Sequence, residues 1–398
     1  MSKKSKRAIV NTFFLVAFSL IVIILLVNRD ADDLWKILPY ISGKWFLITF
    51  LFFMLYYVID GFSLMIMGKK FKKNYSFHEA FAVAWVGSFF SAITPSATGG
   101  QVGQAYVLRK QGIHLEEGAS LLVLQWAAKE VAVILFCSVT IVASRVMGLN
   151  TITSLHIFGV DMDFWIFALI GFVLHLGATV GVLTLSFSHY TETLVYWLLK
   201  MLLKLKFIKE DKYKANCAKV QTKIDRYRQE VKDMKGNYKY LIGALFCEIL
   251  RYIVYFSIPW FVSYILRVDL PLDLLWVSII YGSFLFLISA FIPIPGASGG
   301  TEVFFSIIFA SFYGVGGATT SALIIWRFIT FYAGLIIGGI VTWAYNKRKN
   351  VNLVEEAMED QPKHIHVLTP LPGDAKLYKD KEEHNDDEID IKSKDPRS

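Results

Sequence analysis

Residues 293–302, Pro293-Ile294-Pro295-Gly296-Ala297-Ser298-Gly299-Gly300-Thr301-Glu302, decide the fold. They interrupt an apolar stretch, residues 272–313, that is otherwise composed for hydrocarbon. Proline removes a backbone donor and glycine loosens a helix, so a straight span through this stretch is not expected. Two half-helices around a turn fit better. Broken backbone at membrane depth is tolerated only where protein or a water-filled cavity satisfies it.

A copy of this design lies two hundred positions upstream, at Thr94-Pro95-Ser96-Ala97-Thr98-Gly99-Gly100-Gln101 within residues 80–108. Pro295 falls on Pro95, Ala297 on Ala97, Ser298 on Thr98, and Gly299-Gly300 on Gly99-Gly100. Trp326 falls on Trp126 in the span that follows, and Gly282-Ser283-Phe284 resembles Gly87-Ser88-Phe89. Chance rarely produces this set at one register. The segment is therefore an internal repeat.

Composition places both copies in a membrane. Of 398 residues, 55% are hydrophobic and 19% charged, with a mean hydropathy of +0.47. A soluble core of that apolarity would leave large exposed patches. The net charge of +8 would suit nucleic acid, but the Lys and Arg flank apolar runs. That pattern marks cytoplasmic loops and contact with anionic lipid. No nucleic-acid partner is expected.

Six full spans are predicted, at residues 9–27, 45–67, 118–143, 164–187, 240–265 and 318–345. The run 9–27 is followed by Asn28-Arg29-Asp30 rather than a cleavage site, so it is read as a retained helix. The basic loop Lys69-Lys70-Phe71-Lys72-Lys73 is cytoplasmic by its charge, and the loop 267–273 then lies outside. The two broken hairpins, about 80–110 and 272–313, enter from opposite faces. The expected fold is an all-α polytopic membrane protein carrying two re-entrant broken-helix hairpins in an inverted repeat. Residues 1–346 form this domain. A basic cytoplasmic loop covers 190–239, with a helix in the headgroup plane at 194–208. Residues 347–398 are a polar, disordered cytoplasmic tail. Both termini are cytoplasmic.

Six ionisable residues fall inside spans: Asp60, Lys129, Glu130, Glu248, Arg251 and Arg327. Each costs roughly 2.5–3.5 kcal/mol at the bilayer centre on insertion scales, so each needs a partner or a task. Glu248 and Arg251 are three apart on one helix and can pair, as a structural unit or around a substrate. Lys129 and Arg327 hold related positions after Trp126 and Trp326. The half-helices after Gly99-Gly100 and Gly299-Gly300 present N–H groups and a positive dipole end to the membrane interior. Gln101 and Thr301 add hydrogen bonds. Glu302 either satisfies its own helix N-terminus or contacts substrate.

The candidate substrate site is therefore Gly99, Gly100, Gln101, Gly299, Gly300, Glu302, Arg327, Arg251, Glu248 and Lys129. No catalytic residue, cofactor or metal is expected. Cys137, Cys217 and Cys247 form no CxxC, the histidines have no zinc spacing, and His364 and His366 sit in the tail. No hydrolase elbow, Walker loop, HExxH or dinucleotide fingerprint occurs.

The two glycine-rich segments, with Trp326-Arg327-Phe328-Ile329-Thr330-Phe331-Tyr332, resemble the lysylphosphatidylglycerol synthase transmembrane region, the flippase-like membrane proteins. The resemblance covers about residues 10–345. It implies a bacterial multi-pass protein that moves, or helps move, a phospholipid substrate between leaflets. In long members a soluble aminoacyl-transferase domain follows and makes lysyl-phosphatidylglycerol. No such domain is expected after residue 346, so lysyl transfer describes the family rather than this chain. A third reading is a membrane scaffold that docks lipid- or glycolipid-synthesis enzymes through the loop 190–239.

Overall fold

The computed structural model describes residues 38–94, 97–149, 155–157, 160–162, 164–187, 238–289, 292, 295–297, 299–314 and 317–347, with isolated positions between 193 and 229. The first predicted span, the loop 190–239 with its headgroup-plane helix, and the tail lie outside these residues, isolated positions excepted. The chain divides into two units, Met1–Lys349 and Asn350–Ser398. Everything that follows belongs to the first.

The described chain is helical. After a 3-10 turn at Leu38–Tyr40 come α1 (Gly43–Gly68), α2 (Phe77–Ala92), α3 (Gly99–Lys110), α4 (Leu115–Val146) and α5 (Phe164–Phe187). Then follow α6 (Tyr238–Ile265), α7 (Leu274–Ser289), α8 (Gly300–Ile308), α9 (Ala310–Tyr313), α10 (Gly317–Arg327) and α11 (Ala333–Lys347). A small antiparallel hairpin, β1 (Leu155–Ile157) with β2 (Val160–Met162), precedes α5 and was not expected; His156 pairs with Asp161. Among the described residues four helical stretches, α1, α4, α6 and Gly317–Tyr345, are long and apolar enough to cross a membrane. Shorter apolar helices, Trp165–Gly181 within α5 and Leu274–Ser289, accompany them.

Both predicted breaks are present. Helix α2 ends at Ala92 and α3 begins at Gly99; α7 ends at Ser289 and α8 begins at Gly300. The turns share an unusual backbone. Ala97 has φ 55° and Ala297 has φ 49°. An alanine in the left-handed region costs roughly 1–2 kcal/mol, so each turn is held by what surrounds it. At the first break the Thr94 hydroxyl donates to the Phe90 carbonyl (2.7 Å) and accepts from Gly99 N–H (2.8 Å). A Cβ on Gly99 would strike the Thr94 side chain, and one on Gly300 would press on the tip of Ile292, so glycine allows the close approach at each turn.

Helices α1 and α6 form the central pair and run antiparallel. Ser42 N–H donates to the Ile265 carbonyl (2.8 Å) at one end. The Ser63 hydroxyl donates to Glu248 (3.1 Å) towards the other. Pro259 has no N–H to offer the Tyr255 carbonyl inside α6. At the next rung Ser278 of α7 inserts: its hydroxyl accepts from Trp260 N–H (3.1 Å) and lies 3.3 Å from the Phe256 carbonyl, to which it donates. A neighbour's side chain thus bridges the rung beside the proline.

The first hairpin packs α2 against α1, α3 and α11. Tyr57 and Trp85 stack at 3.8 Å between centroids, and Tyr57 shares a hydrogen bond with Ser88 (3.3 Å). At the polar end, Gln111 donates to the Glu79 carbonyl (2.9 Å) and to the Tyr345 hydroxyl (2.8 Å), and accepts from Tyr75 (2.8 Å). The start of α2 and the ends of α3 and α11 are joined there. Glu79 closes a capping box on Ser76 and accepts from Lys72 at 2.6 Å.

Two outcomes follow. A Cβ on Gly338 would lie 2.8 Å from the Trp85 carbonyl and 2.9 Å from Phe89. Gly338→Val forces α2 and α11 apart and should destabilise the protein by about 1–3 kcal/mol, read by thermal unfolding in detergent. Partial burial acts against the charge on Glu79, but the Lys72 and Ser76 hydrogen bonds outweigh it and hold the carboxyl below its ordinary value. A depressed folded pKa stabilises fully above the unfolded value, about 4.3, and the gain is lost as pH falls through the folded one. Amide-exchange protection over residues 69–79 should fall in that acid window, and Glu79→Gln should abolish the pH dependence.

Candidate functional site

Polar side chains spaced three or four apart converge from three helices. On α1, Tyr56, Asp60 and Ser63 share a face; on α4, Gln125 and Lys129; on α6, Glu248, Arg251, Tyr252 and Tyr255. Asp60 Oδ1 lies 2.8 Å from Arg251 Nη1, 3.2 Å from Lys129 Nζ and 3.2 Å from Gln125 Nε2. Arg251 Nη2 lies 2.8 Å from Glu248 Oε2, whose other oxygen accepts from Ser63. The guanidinium also covers the Tyr56 ring at 4.7 Å. Asp60, Glu248 and Arg251 are buried. Two acids and two bases sum to zero, so no uncompensated charge is left inside the bundle.

A second pair lies at the second break. Arg327 ends α10, and its Nε is 2.9 Å from Glu302 Oε1. Glu302 Oε2 accepts from Gly299 N–H at 2.7 Å. Arg327 Nη1 donates to the Gly296 carbonyl at 3.3 Å. Glu302 is wholly buried and Arg327 is 4% exposed. Among the described residues Arg327 Nη2 has no hydrogen-bond partner. Directly after Arg327 the helix widens into a π turn, Phe328–Tyr332, a feature that concentrates at functional sites.

Arg327 lines a cavity of about 190 Å³. Its walls include Ser289, Gly296, Ala297, Thr301 and Thr330, and the rings of Tyr255, Phe286, Trp326 and Phe331. The Thr301 hydroxyl donates to the Ala297 carbonyl (2.9 Å) and meets Ser289 at 3.2 Å. A dry aromatic wall around one guanidinium with a free donor can take an acceptor oxygen of a charged group. Rings link the two charged clusters: Tyr56 and Tyr255 lie 5.7 Å apart, and Tyr255 meets Trp326 at 6.5 Å. Helix α2, which leads into the first break, packs against the turn Pro295–Ala297 at the second.

The sequence-predicted residues fall into three groups. Gly299, Gly300, Glu302 and Arg327 gather at the cavity or its rim. Lys129, Glu248 and Arg251 gather around Asp60. Gly99 and Gly100 form the first turn, while Gln101 is exposed on α3 and does not line the cavity. The first N–H of each broken half-helix is also already taken, by Thr94 at Gly99 and by Glu302 at Gly299. Glu302 thus caps its helix and pairs with Arg327 at once. Sequence reasoning missed Ser63, Gln125 and Tyr56; their i+3 and i+4 spacing from Asp60 and Lys129 was the available signal.

The match to known families now has a geometry to rest on. The family model described as Lysylphosphatidylglycerol synthase TM region matches residues 12–338. The chain belongs to this family. No curated protein and no solved structure matches it. As a member of the lysylphosphatidylglycerol synthase TM region family with four helical stretches long and apolar enough to cross, the chain is a multi-pass membrane protein.

Removing one partner of a buried pair strands the other, at about 3–5 kcal/mol. Glu302→Leu alone should lower the unfolding temperature in detergent sharply. The double variant Glu302→Leu/Arg327→Met should be more stable than Glu302→Leu, because no buried charge is left unmatched.

Proposed function

We propose that this protein translocates a membrane lipid between leaflets, taking an anionic or aminoacylated phospholipid headgroup at the Arg327 cavity while the acyl chains stay in lipid. The observation that carries the reading is the buried guanidinium with an unpartnered donor, lining an aromatic cavity beside broken backbone. A phosphate oxygen is the natural complement of that donor.

The proposed architecture is one domain, residues 1–346, in a bacterial cell membrane, with two re-entrant hairpins in an inverted repeat and both termini cytoplasmic. Several observations support inversion. The left-handed alanines at 97 and 297 stand at the matched positions of the repeat. Helix α2 follows the C-terminal end of α1, and α7 follows the C-terminal end of α6. Because α1 and α6 are antiparallel, the two hairpins start from opposite ends of the central pair. Lys129 pairs with Asp60 in the first half as Arg327 pairs with Glu302 in the second.

In this reading Glu302 holds Arg327 in place, Gly299 and Gly300 allow the close turn, and the Asp60 cluster fixes α1, α4 and α6 as a frame. Rocking of one half against the other exposes the cavity to each leaflet in turn.

Reconstituted vesicles with a labelled phosphatidylglycerol and a leaflet-selective quencher test this. A buried charged hydrogen bond is worth about 1.5–3 kcal/mol, so Arg327→Ala should slow translocation about ten- to a hundredfold. Gly300→Leu should do the same by filling the turn. Wild-type rates in both variants would end the assignment. Lysyl-phosphatidylglycerol formed from lysyl-tRNA by the purified chain would favour the transferase reading instead.

A further inference from the structure

A partly buried titratable pair lies outside the site described so far. Glu130 is in α4 and His175 in α5. His175 Nδ1 lies 2.9 Å from Glu130 Oε2, and the side chains are 15% and 14% exposed. The imidazole lies on the Phe286 ring of α7 at 5.6 Å between centroids and 18° between planes. Its other nitrogen, Nε2, is buried with no hydrogen-bond partner among the described residues. One turn earlier on the same face, Gly171 brings α5 onto α7: a Cβ there would lie 2.5 Å from the Leu287 carbonyl.

We infer that Glu130 and His175 form a proton-binding site that couples lipid movement to a transmembrane proton gradient. The inference rests on the translocation reading above and supplies its coupling ion. With Nδ1–H donating to the carboxylate, the Nε2 lone pair is open. A proton from the aqueous phase adds there, and the pair passes from one negative charge to none. No covalent bond between heavy atoms changes, and release to the opposite side restores the starting state.

The geometry makes uptake a conformational event. The new Nε2–H finds no acceptor where the ring now sits, and an unmet donor in a dry site is unfavourable. Protonation therefore favours an arrangement in which the ring turns or water reaches it. Such a movement is felt on both sides. Phe286 is a wall of the Arg327 cavity. It also meets Tyr252 at 5.6 Å and Phe256 at 5.8 Å, and Tyr252 lies 5.6 Å from the Arg251 guanidinium. Phe286 thus links the pair to the cavity and, through Tyr252, to the Asp60 cluster.

Among the described residues few titratable groups surround it. Helix α4 presents Glu130 and, further along, Cys137, and α6 presents Tyr252. Helix α7 presents Phe286, which does not titrate. Histidine is the side chain whose charge ordinarily changes within the physiological range.

Full-length protein with isotope-labelled histidine, in nanodiscs, gives the direct test. The His175 resonances should show a protonation step as the medium is acidified, and Glu130→Gln should displace it. A His175 that keeps one protonation state throughout, or titrates alike with and without Glu130, overturns the site. Coupling is read in vesicles of phosphatidylethanolamine and phosphatidylglycerol carrying labelled phosphatidylglycerol. With one proton per lipid, a gradient of one pH unit shifts the wild-type leaflet ratio by up to about tenfold. In His175→Gln, and independently in Glu130→Gln, the ratio should be the same with and without the gradient. A gradient response retained by both variants overturns the coupling. A wild-type protein that moves no labelled lipid removes the translocation reading and the coupling together, while the histidine titration still decides whether the proton site exists.

Discussion

Asp60 stands where three helices meet, and its carboxylate binds a lysine from one and an arginine from another. In water such contacts would contribute little. Inside hydrocarbon the alternative is an unmatched ion, so the charges find one another and the helices follow. The rest of the bundle is arranged around this requirement. Glu248 balances Arg251, Ser63 and Gln125 fill remaining hydrogen-bond sites, and Tyr56 covers the guanidinium face. The result is a neutral knot that orders α1, α4 and α6.

A second requirement acts on the backbone. Helix α6 is interrupted at Pro259, and Ser278 bridges the adjacent rung between Trp260 and Phe256. The breaks at residues 94–99 and 289–300 are closed by Thr94, Glu302 and Arg327. Each interruption is met by a side chain rather than by lipid. Beside the second lies a cavity, with Arg327 donors not fully spent.

Much of this was legible before any coordinates. Pro and Gly announced both breaks, and apolar runs located α1, α4, α5 and α6 to within a few residues. Asp60 was recognisable as a residue in need of a partner. Which partner was not: Lys129 and Arg251 lie 69 and 191 positions away (129 − 60 and 251 − 60), and such pairing leaves no local pattern. The i+3 and i+4 companions Ser63 and Gln125 were readable as a polar face but not as a meeting point. His175 was not singled out, because its partner Glu130 belongs to another span. Gln101 was placed by its position after Gly-Gly, yet on α3 the facing side is set by the helix phase, and that phase turns it outward. The strand pair 155–162 carried no turn signal strong enough to read.

The π turn at Phe328–Tyr332 has a geometric corollary. An α-helix advances about 100° per residue, so one extra residue in a turn rotates everything beyond it by about that angle. Before the turn, Arg327 looks toward the cavity. After it, Gly334 and Gly338 look toward Tyr57 and Trp85. A single continuous rod thereby serves two clients on different sides. Residue counting through this segment must carry a phase slip of one, so a periodicity drawn from its first half misassigns every contact in its second.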